Sequence, residues 1–142
     1  MDDLLHRLSR CRAGMAALEF VFLAPALLML VFSIIVYSLY FAAYFGVRQA
    51  ASEGARTALA GLSSDERISL ATTRAQEIVD SYGNLLGSGK DAVITTSTDG
   101  ANAFMVTVSY DISDSPIMRY ASILPLPATD MKASATVTNG GY

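Results

Sequence analysis

Glu19 stands at the head of an uncharged, largely apolar run that extends from Phe20 to Val47. At 1.5 Å per residue, this run of about 28 residues makes a helix of roughly 42 Å, against a bilayer hydrocarbon core of about 30 Å. A secretory signal has a shorter apolar stretch, roughly 7 to 15 residues, closed by a small-residue cleavage site. No such site ends this run, so the helix is expected to stay in the product as a membrane span. Tyr37, Tyr40, Phe41, Tyr44 and Phe45 crowd its distal third, where amphipathic rings favour the membrane-water boundary. Hydrocarbon is therefore expected to cover approximately Phe20 to Leu39. A carboxylate at the edge of that span is costly and by default marks a function with a partner to be found. The complementary charge is an amine. A cut after Gly14 would place the new α-amino group on Met15, four residues and about one helical turn ahead of Glu19.

Orientation follows from the flanking cations. Arg7, Arg10 and Arg12 precede the run, and Arg48 and Arg56 are the nearest behind it; the bias places the N-terminus in the cytoplasm. The chain from Arg48 onward is long enough to be a small domain, and long C-terminal domains translocate largely regardless of charge. The expected topology is N-in, C-out.

Length and composition narrow the function classes. A chain of 142 residues that is 52% hydrophobic accommodates one anchor and one small soluble domain. From Arg48 on there are seven basic and ten acidic residues with no Lys/Arg cluster, which excludes a phosphate-tracking nucleic-acid binder. The single cysteine, Cys11, precedes the span, so the folded part is held by packing without a disulfide. Domains this small bury a limited share of their surface, and support from the anchor helix or a partner subunit is expected. His6 and Cys11 have no second ligand at zinc spacing. Asp111 and Asp114 beside Ser113 lack the glycine and final glutamate of a calcium loop and read as turn residues. Neither metal nor cofactor is expected. The soluble part contains no histidine or cysteine, no Gly-x-Ser-x-Gly elbow and no phosphate-binding glycine loop, so no enzymatic activity is expected either.

Along the chain, residues 1–14 form a short polar leader. A helix is expected over 15–60, with its transmembrane part at about 20–40 and a kink near Val21 to Pro25, because proline removes one hydrogen bond and clashes with the carbonyl four residues back. Ala42, Gly46, Ala50, Gly54 and Ala58 recur every four residues, a stripe of the kind that lets backbones approach closely. Gly61 reads as the C′ residue, Ser63 or Ser64 as the next N-cap, and Asp65 and Glu66 suit the first turn that follows. Ile68, Ala71, Ala75, Ile78, Val79 and Tyr82 give one apolar face to an amphipathic helix, with Arg67, Arg74, Glu77 and Asp80 on the other side. The period then changes to two. Val93 to Thr98, Phe104 to Ile112 and Met131 to Thr138 read as strands, with a turn at Asp99-Gly100 and a short helical turn around Ile117 to Ser122. Residues 61–142 are thus an extracytoplasmic α+β domain, an amphipathic helix laid on a three-stranded antiparallel sheet.

The basic leader, Gly14, four residues, Glu19, Phe20 and the long apolar helix resemble the prepilin-peptidase site of type IV pilins and pseudopilins. More narrowly, Gly14 to Pro25 together with Arg48-Gln49-Ala50-Ala51-Ser52-Glu53-Gly54-Ala55-Arg56 looks like the TadE-like minor pseudopilins of tight-adherence pilus systems. The resemblance covers the anchor and its helical extension, while the sheet agrees only in general layout. It implies a precursor cut after Gly14 by a membrane aspartyl peptidase, a mature chain beginning at Met15, and pairing of Glu19 with the terminal amine of a neighbouring subunit during assembly. It also implies a minor subunit or assembly factor of the thin Flp-type fibre, working in pilus biogenesis and surface adherence. The implied partners are prepilin peptidase, other pilins and pseudopilins, the assembly-platform proteins and the lipid of a bacterial inner membrane. Ala13 separates Arg12 from Gly14, and methionine occupies the first mature position; both depart from the common processing pattern.

Three classes of function therefore stand at this point. The first is a processed pseudopilin. The second is an uncleaved single-pass protein whose extracytoplasmic domain binds an envelope partner, and the third is a membrane-tethered hydrolase. The mature N-terminus separates the first two, Met15 in one and Met1 in the other.

Overall fold

Helix α1 runs unbroken from Arg12 to Ala58 in the computed structural model of the chain, which describes residues 12–87, 91–99 and 103–138. The leader up to Cys11 and the expected turn residue Gly100 lie outside the described residues. Pro25 sits inside α1. A proline costs such a helix one backbone hydrogen bond, and in an otherwise apolar helix the segments on either side continue regardless.

The chain divides into two compact units between Ile35 and Val36. Among the described residues the first holds only the proximal part of α1, with Phe20, Phe22, Leu23 and Leu28 each about two-thirds or more exposed. The second begins at Val36 and contains the distal part of α1, helix α2 (Ser64–Ser81), the single turn α3 (Gly83–Leu86) and strands β1 (Val93–Asp99), β2 (Ala103–Asp111) and β3 (Asp130–Thr138). A 3-10 turn at Pro116–Tyr120 lies between β2 and β3. This is the α+β architecture expected. The structure adds that the distal half of α1 belongs to the folded unit. Val36, Tyr40, Ala43, Val47, Ala50 and Ala58 are all buried, spaced by threes and fours or their multiples as one helix face requires.

The sheet order is β1-β2-β3, antiparallel throughout. Val106 of β2 pairs with Thr96 on one side and Ala135 on the other. Phe104, Val106, Val108 and Tyr110 are buried and alternate with half-buried Met105, Thr107 and Ser109, the pattern of a central strand with one face on the core. Ala71, Ala75, Ile78 and Val79 form the buried face of α2. Ser115, 2% exposed, closes the lower core by donating its hydroxyl to the Leu85 carbonyl at 2.5 Å.

Gly61 corrects one expectation. Among the described residues the glycine with positive φ is Gly87, at +104°, so Gly61 is not a left-handed C′ residue. The end of α1 instead tightens into i to i−3 bonds, Leu59 to Arg56, Ala60 to Thr57 and Gly61 to Ala58. Glycine is required at position 61 because a Cβ there would lie 2.8 Å from the Arg67 backbone nitrogen. Arg67 also donates through Nε to the Gly61 carbonyl at 3.0 Å. Ser63 is the N-cap of α2: its Oγ accepts from the Glu66 N–H at 3.2 Å, and Glu66 Oε2 accepts from the Leu62 N–H at 2.9 Å. The first bond satisfies a donor that the helix start leaves open, and the second ties the residue ahead of the cap to the first turn.

Candidate functional site

Gly14 and Met15 lie in the first turn of α1, where backbone N–H groups have no partner within the helix. This is the part of a helix that opens at least cost. Met15 is 68% exposed, and Glu19 is also exposed, one turn further along. Phe20 follows, again 68% exposed. Among the described residues no ion pair or hydrogen bond reaches the Glu19 carboxylate; the acid is presented on an apolar cylinder between Leu18, Phe22 and Leu23. An apolar helix in the core of a water-soluble protein would be mostly buried, whereas only 6% of the most hydrophobic window of α1 is buried. The helix is long and apolar enough to cross a membrane, and lipid or neighbouring helices are what its surface fits.

The small-residue stripe is positioned differently from this exposed acid. Ala42 is half-buried, and Gly46, Ala50, Gly54 and Ala58 are buried within the unit beginning at Val36. A Cβ on Gly46 would lie 2.7 Å from the Tyr82 ring, and one on Gly54 would lie 2.9 Å from the Ala71 carbonyl oxygen and 3.5 Å from Val106 Cγ1. The stripe thus admits α2 and the sheet of the same chain. Tyr82 completes the contact by donating its hydroxyl to Gln49 Oε1 at 3.1 Å.

The aromatic cluster divides into two roles. Phe41 and Phe45 are more than half exposed, as a ring belt at a membrane boundary would be. Tyr37 and Tyr40 instead hold the segment before β3: Tyr37 donates to the Pro125 carbonyl at 2.6 Å, and Tyr40 to the Ala128 carbonyl at 3.1 Å. Nothing in their one-turn spacing identified that partner. Asp111 is the last residue of β2, and its carboxylate accepts from the Ser113 N–H at 2.9 Å and from the Ser113 hydroxyl at 3.2 Å in the turn that follows. Among the described residues no cluster of three or more His, Cys, Asp or Glu side chains is placed to hold a metal.

Among the described residues, fold and site together define a class of protein, one exposed apolar helix whose distal part belongs to a small α+β unit. Within that class, residues 14–56 match the family model described as TadE-like protein. The match spans Gly14, Glu19, Pro25 and the Arg48–Arg56 segment, the residues that carry the resemblance to the TadE-like proteins of tight-adherence pilus systems. No curated protein and no solved structure matches the chain.

Proposed function

We propose that the chain is a minor pseudopilin or assembly subunit of a tight-adherence, Flp-type pilus system, processed by prepilin peptidase after Gly14 and acting in pilus biogenesis and surface adherence. The carrying observation is Glu19, an exposed acid without a partner among the described residues, one turn after the bond to be cut. The match to TadE-like proteins over the same helix supports the reading.

Hydrolysis of the Gly14–Met15 bond releases the leader with a new carboxylate on Gly14 and leaves an ammonium group on Met15. That ammonium is a cation the precursor does not have. In low dielectric an isolated carboxylate is strongly penalised and a matched pair is not, so processing switches on pairing. When the amine and Glu19 come from adjacent subunits, the pair sets the stagger between their helices. The exposed apolar surface of residues 15–35 then exchanges lipid for neighbouring helices with little change in polarity. In this role the chain is structural and performs no catalysis. It resides in a bacterial inner membrane with its N-terminus cytoplasmic and its α+β unit extracytoplasmic, meeting prepilin peptidase, other pilins and pseudopilins, and the assembly platform.

The test is the mature N-terminus, read by intact mass or Edman sequencing of the chain from cells with a working fibre apparatus. Met15 is expected. Recovery of the polypeptide with its leader attached would refute processing and leave an uncleaved anchored protein as the surviving reading.

A further inference from the structure

We propose that the segment from Tyr120 to Ala128 is a second membrane contact, seated in the bilayer interface at the exit of α1. This rests on reading α1 as a membrane span and concerns only the unit that begins at Val36. Counted from Phe20, a hydrocarbon core of about 30 Å takes up about 20 helical residues and ends near Leu39. Side chains on a helix lean toward its N-terminus, so the Tyr37 hydroxyl lies deeper than its own Cα. It donates to the Pro125 carbonyl at 2.6 Å, and Tyr40, one turn on, donates to the Ala128 carbonyl at 3.1 Å. The loop is tied to the turn of helix where lipid gives way to water.

Irregular backbone near hydrocarbon is favoured where its polar groups are satisfied, and this loop meets part of that demand within the chain. Pro125 and Pro127 have no N–H to satisfy. The carbonyls of Pro125 and Ala128 are taken by the two tyrosines, and the N–H groups of Ile123 and Leu124 turn back to the Tyr120 carbonyl at 3.0 and 2.9 Å. The side chains agree with the backbone. Ile123 is 54% exposed and Leu126 half-buried. No acidic residue occurs between Asp114 and Asp130, where the single cation is the exposed Arg119 just ahead of the segment, so no charge within the segment opposes contact with lipid. One exposed isoleucine carries no meaning by itself; the depth set by the two tyrosine bonds is what directs it to lipid. The consequence is mechanical, since α1 cannot leave the bilayer for a fibre without the loop leaving too.

The chain has no tryptophan, so a single introduced one reports its own surroundings. Ile123→Trp, Leu28→Trp and Leu62→Trp, each in the full chain, are reconstituted in phosphatidylethanolamine and phosphatidylglycerol vesicles with or without bromine on the upper acyl chains. Leu62, 95% exposed beyond the end of α1, is the aqueous reference, and Leu28 lies within the span. We expect Ile123→Trp to emit to the blue of Leu62→Trp and to lose intensity severalfold in brominated vesicles, as Leu28→Trp does. If Leu28→Trp is quenched while Ile123→Trp behaves like Leu62→Trp, the second contact is refuted and the span survives. If Leu28→Trp is unquenched, both fail. Blue emission from Ile123→Trp without quenching would put protein, not lipid, against the loop and would also overturn the proposal.

Discussion

Gly54→Val decides whether the small-residue stripe of α1 is occupied within the chain. Helix propensity alone favours the change, since glycine costs about 1 kcal/mol and valine roughly 0.6 kcal/mol relative to alanine. The structure reverses the sign. A Cβ at position 54 would lie 2.9 Å from the Ala71 carbonyl oxygen and 3.2 Å from the Ala75 Cβ. The first of these atoms is backbone of α2, so no rotamer change relieves the clash and the two helices must separate. Overpacking of this kind costs about 1–3 kcal/mol, and the two methyl groups of valine press further toward Val106. After the gain in propensity of about 0.4 kcal/mol the net loss is roughly 0.6–2.6 kcal/mol. At about 4–8 °C per kcal/mol for a small domain, melting should fall by roughly 2 to 20 °C. The assay is thermal melting of the full chain in detergent micelles by near-ultraviolet circular dichroism. That signal follows the packed tyrosines Tyr40 and Tyr110, whereas the far-ultraviolet signal would be dominated by the surviving α1. Gly83→Ala is the control, with nothing within 4 Å of the added Cβ and no positive φ, and it should be neutral or stabilising by up to about 1 kcal/mol. If Gly54→Val melts at or above the wild-type temperature, α1 and α2 are not packed as described and the stripe is free for another subunit.

Three further outcomes follow from named contacts. Glu19→Gln should leave the cut after Gly14 intact but deplete the chain from sheared fibres, measured by immunoblot of fibre and membrane fractions; unchanged incorporation would remove charge pairing from the mechanism. Ser63→Ala deletes the acceptor for the Glu66 N–H and should destabilise the second unit by about 1 kcal/mol, read as a lower melting temperature that Ser63→Asp restores. Gly87→Ala places a side chain at φ +104° and a Cβ 3.1 Å from Ser115 Cα; with backbone strain of order 1–3 kcal/mol, it should lower the melting temperature, and a melt equal to wild type would show that Gly87 is not held against Ser115 as described.

What the chain could reveal unaided was whatever depends on neighbours along it. Hydropathy over Phe20 to Val47 announces an anchor, and the alternation from Phe104 to Ile112 announces a half-buried strand. Spacings of three and four from Ile68 to Val79 announce a helix with one apolar face. Each is a local periodicity, and the elements observed follow them closely: α2 at Ser64–Ser81, β2 at Ala103–Asp111, β3 at Asp130–Thr138. The Gly14–Glu19 spacing is equally local, and the family match begins on it. Partners are a different matter. That Gly46 and Gly54 admit Tyr82 and α2, that Gly61 makes room for Arg67, and that Tyr37 and Tyr40 fasten a loop 88 residues away are decided by which surfaces meet after the chain has folded back. Small residues permit close approach without naming what approaches, and a tyrosine hydroxyl donates to any carbonyl in reach. The start of the folded unit at Val36, inside the apolar run, has the same origin: the run is uncharged and largely apolar to Val47, and only tertiary packing separates residues that stay exposed from those that face the protein's own core.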